Sequence, residues 1–267
     1  MKDQTSRFLS IIILPMLLVS CMSSKYFQVF ETAAITENAA VEEKIKFETE
    51  ELAFIYDFWS NKGDFGFQVW NQSDSMIVID LENTFYVRNG RANPYYADGE
   101  ITYSTSRATT ASAQNNYLNP YHNPYYLTSS SLSASAGSSS GLSRTYENPR
   151  KIKVPANTFI EVMGFSMVSG FKNVCGMEVY PTAKETATQD YTVDNSPIIF
   201  TNRISYTSEG ELKSVEHSFY VSNITNMPQS QALTTLATDD CGNKLYIPKT
   251  VFAVGNPKSF YFEYVRK

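Results

Sequence analysis

Apolar and polar residues alternate along much of the chain with a period of two residues. Residues 65–70 (FGFQVW) and 77–81 (IVIDL) show this pattern, and residues 198–206 (IIFTNRISY) show it again. Because successive side chains of a β-strand point to opposite faces, the period predicts strands that bury one face. No helical period competes with it in residues 45–90, and this region is predicted to form an antiparallel meander.

Turn-forming residues separate the predicted strands. Residues 61–64 (NKGD), 71–74 (NQSD), 89–90 (NG) and 209–210 (EG) contain the Asn, Asp and Gly that accept the backbone conformations of tight turns. About a dozen short strands with such turns between them favour two packed sheets. We predict an all-β fold, an immunoglobulin-like antiparallel β-sandwich, with a partly closed barrel as the alternative. One short helix is predicted at residues 227–238.

A long tract rich in Ser and Tyr interrupts the strand pattern at residues 104–145. It holds 17 Ser or Thr residues, and Arg107 and Arg144 are its only charged residues. Such a polar segment buries too little apolar surface to offset the entropy that ordering removes. We predict a disordered loop inserted between two strands. Loops of this length inside compact domains are either functional or disordered.

The first 21 residues differ in character from the rest. Lys2 and Arg7 precede an apolar run at residues 8–19, an arrangement that is typical of a secretion signal. The run is too short to span a bilayer. Residues 18–21 (LVSC) resemble the lipobox of bacterial lipoproteins. The resemblance implies diacylglycerol on the Cys21 sulfur, cleavage before Cys21 and an acyl group on the new amine. An ordinary secretion signal with an incidental cysteine is the alternative.

These signals divide the chain into three parts. Residues 1–20 are predicted to be a lipoprotein-type signal peptide, and residues 21–44 a lipidated tether with a first strand at residues 26–30. Residues 45–267 are predicted to form one β-sandwich domain that contains the disordered insertion at residues 104–145. Because each buried methylene contributes roughly 0.8 kcal/mol to membrane binding, several acyl chains anchor a protein firmly.

The charge balance limits the expected partners. Removal of residues 1–20 takes away Lys2, Arg7 and Asp3 and leaves 20 basic and 26 acidic residues, a net charge of −6. A mildly acidic chain without basic runs is a poor candidate for binding nucleic acid or anionic headgroups. The expected partners are the membrane, through the lipid anchor, and envelope proteins or glycans. No cofactor is expected.

Two cysteines remain once Cys21 carries lipid. Cys175 and Cys241 would lie in a compartment that permits disulfides. A bridge between them would close a loop of about 65 residues and add roughly 4 kcal/mol to the stability in the chain-entropy model. Two buried free thiols are the alternative, and both interpretations stay open.

Short stretches of the predicted strands carry a family resemblance. They are GF at 66–67, WN at 70–71, IDL at 79–81, Phe85, RNG at 88–90 and NITN at 223–226. Together they resemble uncharacterised envelope lipoproteins of Bacteroides and its relatives, over roughly two thirds of the mature chain. The resemblance implies an envelope lipoprotein with a sandwich fold. It brings no catalytic residue and no known ligand.

The location within the envelope rests on the residues that follow Cys21. In Bacteroides-type bacteria, an acidic stretch directly after the lipidated cysteine resembles a surface-export signal, and residues 22–25 (MSSK) contain none. We therefore expect a protein that is lipid-anchored in the outer membrane and faces the periplasm. Exposure at the cell surface is the alternative.

Tyrosine repeats are the most distinctive candidate contact residues. The sequence Asn-Pro-Tyr occurs three times between residues 93 and 126. A tyrosine offers an apolar ring with a polar tip, which suits stacking on sugars or docking of partners. The candidate ligand contacts are Tyr95, Tyr96, Tyr121, Tyr125 and Tyr126. In the alternative interpretation, the loop folds its tyrosines back over a sheet edge.

A candidate modification site lies at a predicted turn. Asp74-Ser75-Met76 resembles the short acceptor motif for O-glycosylation in Bacteroides-type bacteria, in which Asp precedes Ser or Thr and a small or apolar residue. A turn exposes its side chains and would suit modification of Ser75. A three-residue motif also occurs by chance.

Groups suited to catalysis are scarce. His122 lies inside the polar tract, and His217 shares its strand parity with Phe219 and Val221, which is typical of a buried histidine. No spacing of a zinc site, a calcium loop or a phosphate cradle occurs in the chain. We therefore predict that the protein is not an enzyme and has neither a catalytic residue nor a metal ligand.

Three functional hypotheses follow from the sequence. The leading hypothesis is a membrane-anchored envelope lipoprotein that serves as a non-catalytic binding or assembly module. A second is a surface adhesin or glycan-binding protein that uses the Tyr/Ser-rich loop. A third is an enzyme of unrecognised type that uses Cys175 or His217.

Overall fold

A computed structural model of the protein describes most of the chain beyond residue 23. The described residues are 24–35, 40–41, 44–96, 100–105, 142–147, 149–238 and 241–266. The signal peptide, Cys21 and three of the candidate tyrosines (Tyr121, Tyr125 and Tyr126) lie outside this part. The described regular structure is almost entirely strand, and its strands pair antiparallel. The predicted all-β class is therefore confirmed.

Eight strands form the larger of two main sheets. They are β1 (Lys25–Ala34), β6 (Ile77–Arg88), β7 (Arg91–Pro94), β10 (Lys151–Val154), β12 (Ala187–Asp190), β13 (Ile199–Ser208), β14 (Glu211–Pro228) and β17 (Ser259–Val265). Their order is β10-β6-β13-β14-β1-β17, with β7 beside β6 and β12 beside β14. The first half of β14 pairs with β13 and its second half with β1, so this strand joins the two halves of the sheet.

Two tight hairpin turns set the register of this sheet. Asn89 and Gly90 connect β6 to β7 with φ angles of 47° and 82°, and Glu209 and Gly210 connect β13 to β14 with 51° and 85°. Two central residues with positive φ are the mark of a type I′ turn, whose twist matches that of paired strands. Both turns lie where the sequence predicts them.

Five strands form the smaller sheet. They are β2 (Ala40–Val41), β3 (Ile45–Glu48), β4 (Leu52–Tyr56), β5 (Phe67–Asn71) and β11 (Phe159–Val162). Their order is β11-β5-β4-β3-β2, so β2 to β5 form an antiparallel meander and β11 comes from a distant part of the chain. The meander predicted for residues 45–90 is confirmed only as far as β5, because β6 (Ile77–Arg88) belongs to the larger sheet. The alternation predicted for residues 65–70 buries Phe67 and Val69 in β5.

The two sheets pack face to face around an aromatic core. Phe65 is fully buried, and its ring centroid lies 4.8 Å from that of Phe200, 5.7 Å from that of Phe219 and 5.8 Å from that of Tyr56. Phe200 and Phe219 belong to the larger sheet and Tyr56 to the smaller one. Burying one phenylalanine contributes about 1.5–3 kcal/mol, so this cluster is a main source of stability. The predicted sandwich is confirmed, and its immunoglobulin-like connection order stays a prediction.

The helix predicted at residues 227–238 is wrong. β14 continues to Pro228, a single helical turn α1 (Gln229–Ala232) follows, and β15 (Leu233–Thr238) begins directly after it. β15 pairs with β16 (Lys244–Phe252) as a separate two-stranded hairpin. Three of the six residues of β15 are threonines, whose branched side chains favour strands. The partner strand therefore decides the conformation of this segment.

Two strands include the ends of the polar tract. Its first and last residues belong to β8 (Glu100–Thr105) and β9 (Leu142–Glu147), which pair antiparallel with Thr105 opposite Leu142. Residues 106–141 lie outside the described part of the chain. The predicted boundaries at residues 104 and 145 therefore fall inside strands.

Candidate binding face on the smaller sheet

The outer face of the smaller sheet carries exposed aromatic side chains. In β5, Phe67 and Val69 point into the core, so Gln68 and Trp70 point outward. In β11 the same alternation turns Phe159 outward. This face lies on the side of the sheet opposite the aromatic core.

Trp70 and Phe159, which we call the aromatic pair, are neighbours on this face. They are direct cross-strand partners, and 42 % of Trp70 and 62 % of Phe159 is exposed to solvent. The cross-strand partner of Trp70 on the other side is the small residue Ala53. Lys46 places its ammonium nitrogen 6.0 Å from the centroid of the Trp70 ring, within the range of a cation–π contact. Two adjacent exposed rings make this face a candidate binding surface.

A groove runs beside the aromatic pair. Its aromatic half has a volume of about 230 Å³ and is lined by Lys44, Ile55, Gln68, Trp70 and Phe159. Its acidic half has a volume of about 120 Å³ and shares Lys44, Ile55 and Gln68 with the aromatic half. The two halves are therefore contiguous, and a single ligand can contact both.

Three carboxylates line the acidic half: Asp57, Asp64 and Glu161. One oxygen of each accepts a hydrogen bond from a nearby group of the protein. The donors are the backbone N–H groups of Trp59 and Gly66 and the side-chain amide of Gln68, at 3.1, 2.9 and 2.5 Å respectively. These bonds fix the orientation of the carboxylates before a ligand arrives, which lowers the entropy lost on binding.

A pair of glycines brings β11 and β5 together at the acidic end of the groove. A Cβ atom on Gly164 would lie 1.8 Å from the backbone nitrogen of Gly66, so only glycine fits there. The neighbouring Phe65 donates its N–H to the carbonyl oxygen of Phe165 at 3.1 Å. This close backbone contact holds the two strands that carry the aromatic pair in a fixed register.

His217 is a core residue. It is 4 % exposed, its Nδ1 lies 2.8 Å from the Tyr56 hydroxyl, and its ring stacks on Phe47 at a centroid distance of 4.2 Å. Burial lowers the pKa of His217 to about 4, so the ring is neutral at pH 7. The residue does not line the groove, and its position agrees with the buried strand parity that the sequence indicates.

Tyr95 and Tyr96 pack against the core. The Tyr95 hydroxyl lies 2.6 Å from Asn202 Oδ1 and 2.9 Å from the carbonyl oxygen of Phe65. Burial raises the pKa of Tyr95 well above its usual range. The Tyr96 ring packs beside the same core and lies 5.1 Å from the guanidinium of Arg150. For these two residues the structure supports the interpretation in which the tyrosines fold back onto the sheet.

Both cysteines of the domain are exposed, and no disulfide joins Cys175 to Cys241. The structure therefore agrees with neither of the two interpretations left open by the sequence, a bridge or two buried thiols. Cys175 lies in an irregular segment between β11 and β12, and Cys241 lies in the turn between β15 and β16. The even number of cysteines is a weak indicator because it carries no information on where the two residues lie.

Ser75 lies in the turn between β5 and β6, as predicted. Its carbonyl oxygen accepts a hydrogen bond of 2.8 Å from the Asn71 side chain, and its flanking residues Asp74 and Met76 are exposed. The Ser75 side chain is half-buried. The geometry leaves glycosylation of Ser75 as a prediction.

Sequence reasoning missed the aromatic pair, although one signal for it was present. The period of two in residues 65–70 places Trp70 on the polar side of its strand. A large ring on that side does not pack in the core and is therefore a candidate ligand contact. Its pairing with Phe159 joins residues 89 positions apart, which no local pattern predicts. The carboxylates of the groove likewise come from two distant segments: Asp57 and Asp64 lie in the connection between β4 and β5, and Glu161 lies in β11.

Comparisons with known proteins give no further assignment. No protein-family model matches the chain, and no curated protein or solved structure is significantly similar to it. Within the described ranges, no three or more His, Cys, Asp or Glu side chains are arranged to hold a metal ion. In the same ranges, none of the helices has the length and apolar character needed to cross a membrane.

Proposed function

We propose that the protein is a lipid-anchored envelope lipoprotein that binds a glycan, without catalysis, on the outer face of its smaller sheet. The observation that carries this proposal is the aromatic pair, Trp70 and Phe159, beside oriented carboxylates in one groove. The proposal keeps the non-catalytic binding module favoured by the sequence. It moves the contact surface from the Tyr/Ser-rich tract to the sheet.

The chemistry of the groove matches the two kinds of surface on a sugar. One side of a pyranose ring is lined by C–H groups, which stack on the face of an aromatic ring. Its hydroxyl groups donate hydrogen bonds to carboxylates and accept them from amide and ammonium groups. Trp70 and Phe159 supply the rings, while Glu161, Gln68 and Lys44 supply the polar groups.

The lipid anchor is supported by the sequence at residues 18–21 and by the position of β1. This strand begins at Lys25, four residues after Cys21, so a lipid on that cysteine would hold the sandwich close to the membrane. We place the anchor in the outer membrane and the domain on its periplasmic face, with the cell surface as the alternative. A glycan ligand fits either side of that membrane.

The test is binding of the purified protein to an oligosaccharide array, followed by calorimetry on the best ligand. An aromatic stacking contact contributes on the order of 1 kcal/mol, so Trp70→Ala should weaken binding by roughly fivefold or more. Phe159→Ala should weaken it in the same direction. Leu212→Ala removes an exposed side chain of β14, outside the groove, and serves as the matched control that keeps wild-type affinity.

Two further measurements separate the alternatives. Because Thr105 and Leu142 are paired, residues 106–141 can be replaced by a two-residue turn. Retained binding in that variant supports the sheet face, whereas lost binding assigns the ligand to the Tyr/Ser-rich tract. Release of new reducing ends from the bound oligosaccharide would contradict a non-catalytic role.

A further inference from the structure

The hairpin of β15 and β16 projects from the body of the sandwich. Its two strands pair with each other and with no strand of the other described sheets. At its base, Leu233 and Phe252 pack on a small cluster around Phe27. Beyond the base, the described residues of the hairpin are mostly exposed.

An apolar bulge interrupts this hairpin. Leu236 pairs with Lys249 and Thr238 pairs with Lys244. The two pairs are therefore two positions apart on β15 but five positions apart on β16. Residues 245–248 (LYIP) of β16 therefore lie opposite the single residue Ala237 of β15, with a lysine on each side. Within them, Tyr246 is fully exposed and Ile247 is 76 % exposed. Large apolar side chains held this far from any core indicate a surface that inserts into an apolar partner.

The base of the hairpin lies at the end of the sheet where the chain emerges from the predicted lipid anchor. Pro228, the last residue of β14, pairs with Tyr26 near the start of β1, and the helical turn α1 leads from there into β15. Three residue steps from Cys21 to Ser24 span at most about 11 Å. A lipid on Cys21 would therefore hold this end of the molecule at the bilayer surface.

We propose that residues 244–249 insert into the membrane that holds the Cys21 lipid. This inference rests on the lipid anchor of the proposed function. Tyr246 has the amphipathic ring that favours the boundary between headgroups and acyl chains. Lys244 and Lys249 can bury their aliphatic stems while their ammonium groups stay among the headgroups. Ile247, which is exposed beside the half-buried Leu245, enters the hydrocarbon.

The composition of the bulge favours lipid over a protein strand as the occupant. Pro248 has no N–H group, and the bulge disrupts the flat edge that an added strand requires. The chain carries a net negative charge, so apolar insertion rather than general attraction to anionic lipid drives the contact. The acyl chains provide attachment, and the hairpin adds a second contact that fixes the orientation of the sandwich on the membrane.

The test uses the lipidated full-length protein in vesicles of phosphatidylcholine and phosphatidylethanolamine. Trp59→Phe and Trp70→Phe remove both native tryptophans, and Tyr246→Trp then places a single fluorophore on the bulge. Its emission should move to shorter wavelength in vesicles and should be quenched by lipids brominated on their acyl chains. Adding Ile247→Asp should restore the emission seen in water.

Leu212→Trp, in the same tryptophan-free background, is the matched control. Leu212 is also exposed, but it lies at the opposite end of β14, about 50 Å of extended strand from Pro228. Its emission should stay unchanged in vesicles. If mass spectrometry shows lipid on Cys21 but the Tyr246→Trp emission does not respond, the inference fails and the anchor stands. An unmodified Cys21 overturns both.

Discussion

The buried histidine links the aromatic core to pH. His217 has a pKa of about 4 in the folded protein and about 6.5 in the unfolded chain, because burial disfavours its charged form. The unfolded chain therefore takes up the proton first as the pH falls. The contribution of His217 to stability is complete above pH 6.5, is lost as the pH falls through the window from 6.5 to 4, and then levels off.

We predict that His217→Gln removes this part of the pH dependence. For a pKa lowered to about 4, the loss between pH 6.5 and pH 4 amounts to about 3 kcal/mol in the wild-type protein. Urea unfolding curves at several pH values measure it. The difference in the free energy of unfolding between the two proteins is compared at each pH, because titrating carboxylates make the same contribution to the pH dependence of both. Parallel curves for the two proteins would contradict the assignment.

A second prediction at the residue scale concerns Tyr95. Tyr95→Phe removes the one hydroxyl hydrogen that Asn202 Oδ1 and the Phe65 carbonyl oxygen share, which should lower the free energy of unfolding by about 1–3 kcal/mol. The Tyr95→Phe variant should bind the glycan with wild-type affinity, unlike Trp70→Ala. An intact stability combined with lost binding would instead make Tyr95 a ligand contact.

At the scale of elements, the contact between β5 and β11 depends on glycine. We predict that Gly164→Ala lowers the free energy of unfolding by about 3 kcal/mol or more, because the added methyl group would overlap the backbone of Gly66. Gly170→Ala is the matched control, since a Cβ atom there meets no other atom within 4 Å. Thermal unfolding of both variants measures the difference. Equal melting temperatures of the two variants would contradict this prediction, because they would show that β5 and β11 can move apart without loss of stability.

The sequence predicts elements well where local pattern and packing agree. The period of two in residues 65–70 places Phe67 and Val69 in the core, and the Asn-Gly and Glu-Gly pairs form the turns expected of them. Residues 227–238 are wrongly predicted because a short segment takes its conformation from its partner. The threonines of β15 become strand only because β16 lies beside them.

At the scale of the whole molecule, the site could not be predicted because it is assembled from distant segments. Trp70 and Phe159 lie in strands joined by a connection that includes the whole polar tract, and Glu161 enters the groove on the same strand as Phe159. Local periodicity reveals which face a residue occupies. It does not reveal which strand becomes its neighbour, because pairing over such separations depends on the complete fold.

Two surfaces of the molecule therefore have separate proposed roles. The outer face of the smaller sheet binds a ligand, and the hairpin of β15 and β16 meets the membrane beside the lipid anchor. The two roles involve different residues, so a variant of one surface should leave the other unchanged. Ile247→Asp should keep the glycan affinity, which calorimetry measures. Trp70→Ala should keep the membrane contact, which vesicle fluorescence measures. Loss of both activities in either single variant would indicate misfolding instead.

The most direct test of glycan binding at the aromatic pair uses Trp70 itself as the reporter. Trp59→Phe leaves Trp70 as the single tryptophan and preserves an aromatic ring at position 59, where the side chain packs on Phe252 and Tyr261. Titration with the oligosaccharide selected on the array should then change the Trp70 emission, with saturation at the calorimetric dissociation constant. A saturating calorimetric signal with no change in Trp70 emission would show that the ligand binds elsewhere and would contradict the account.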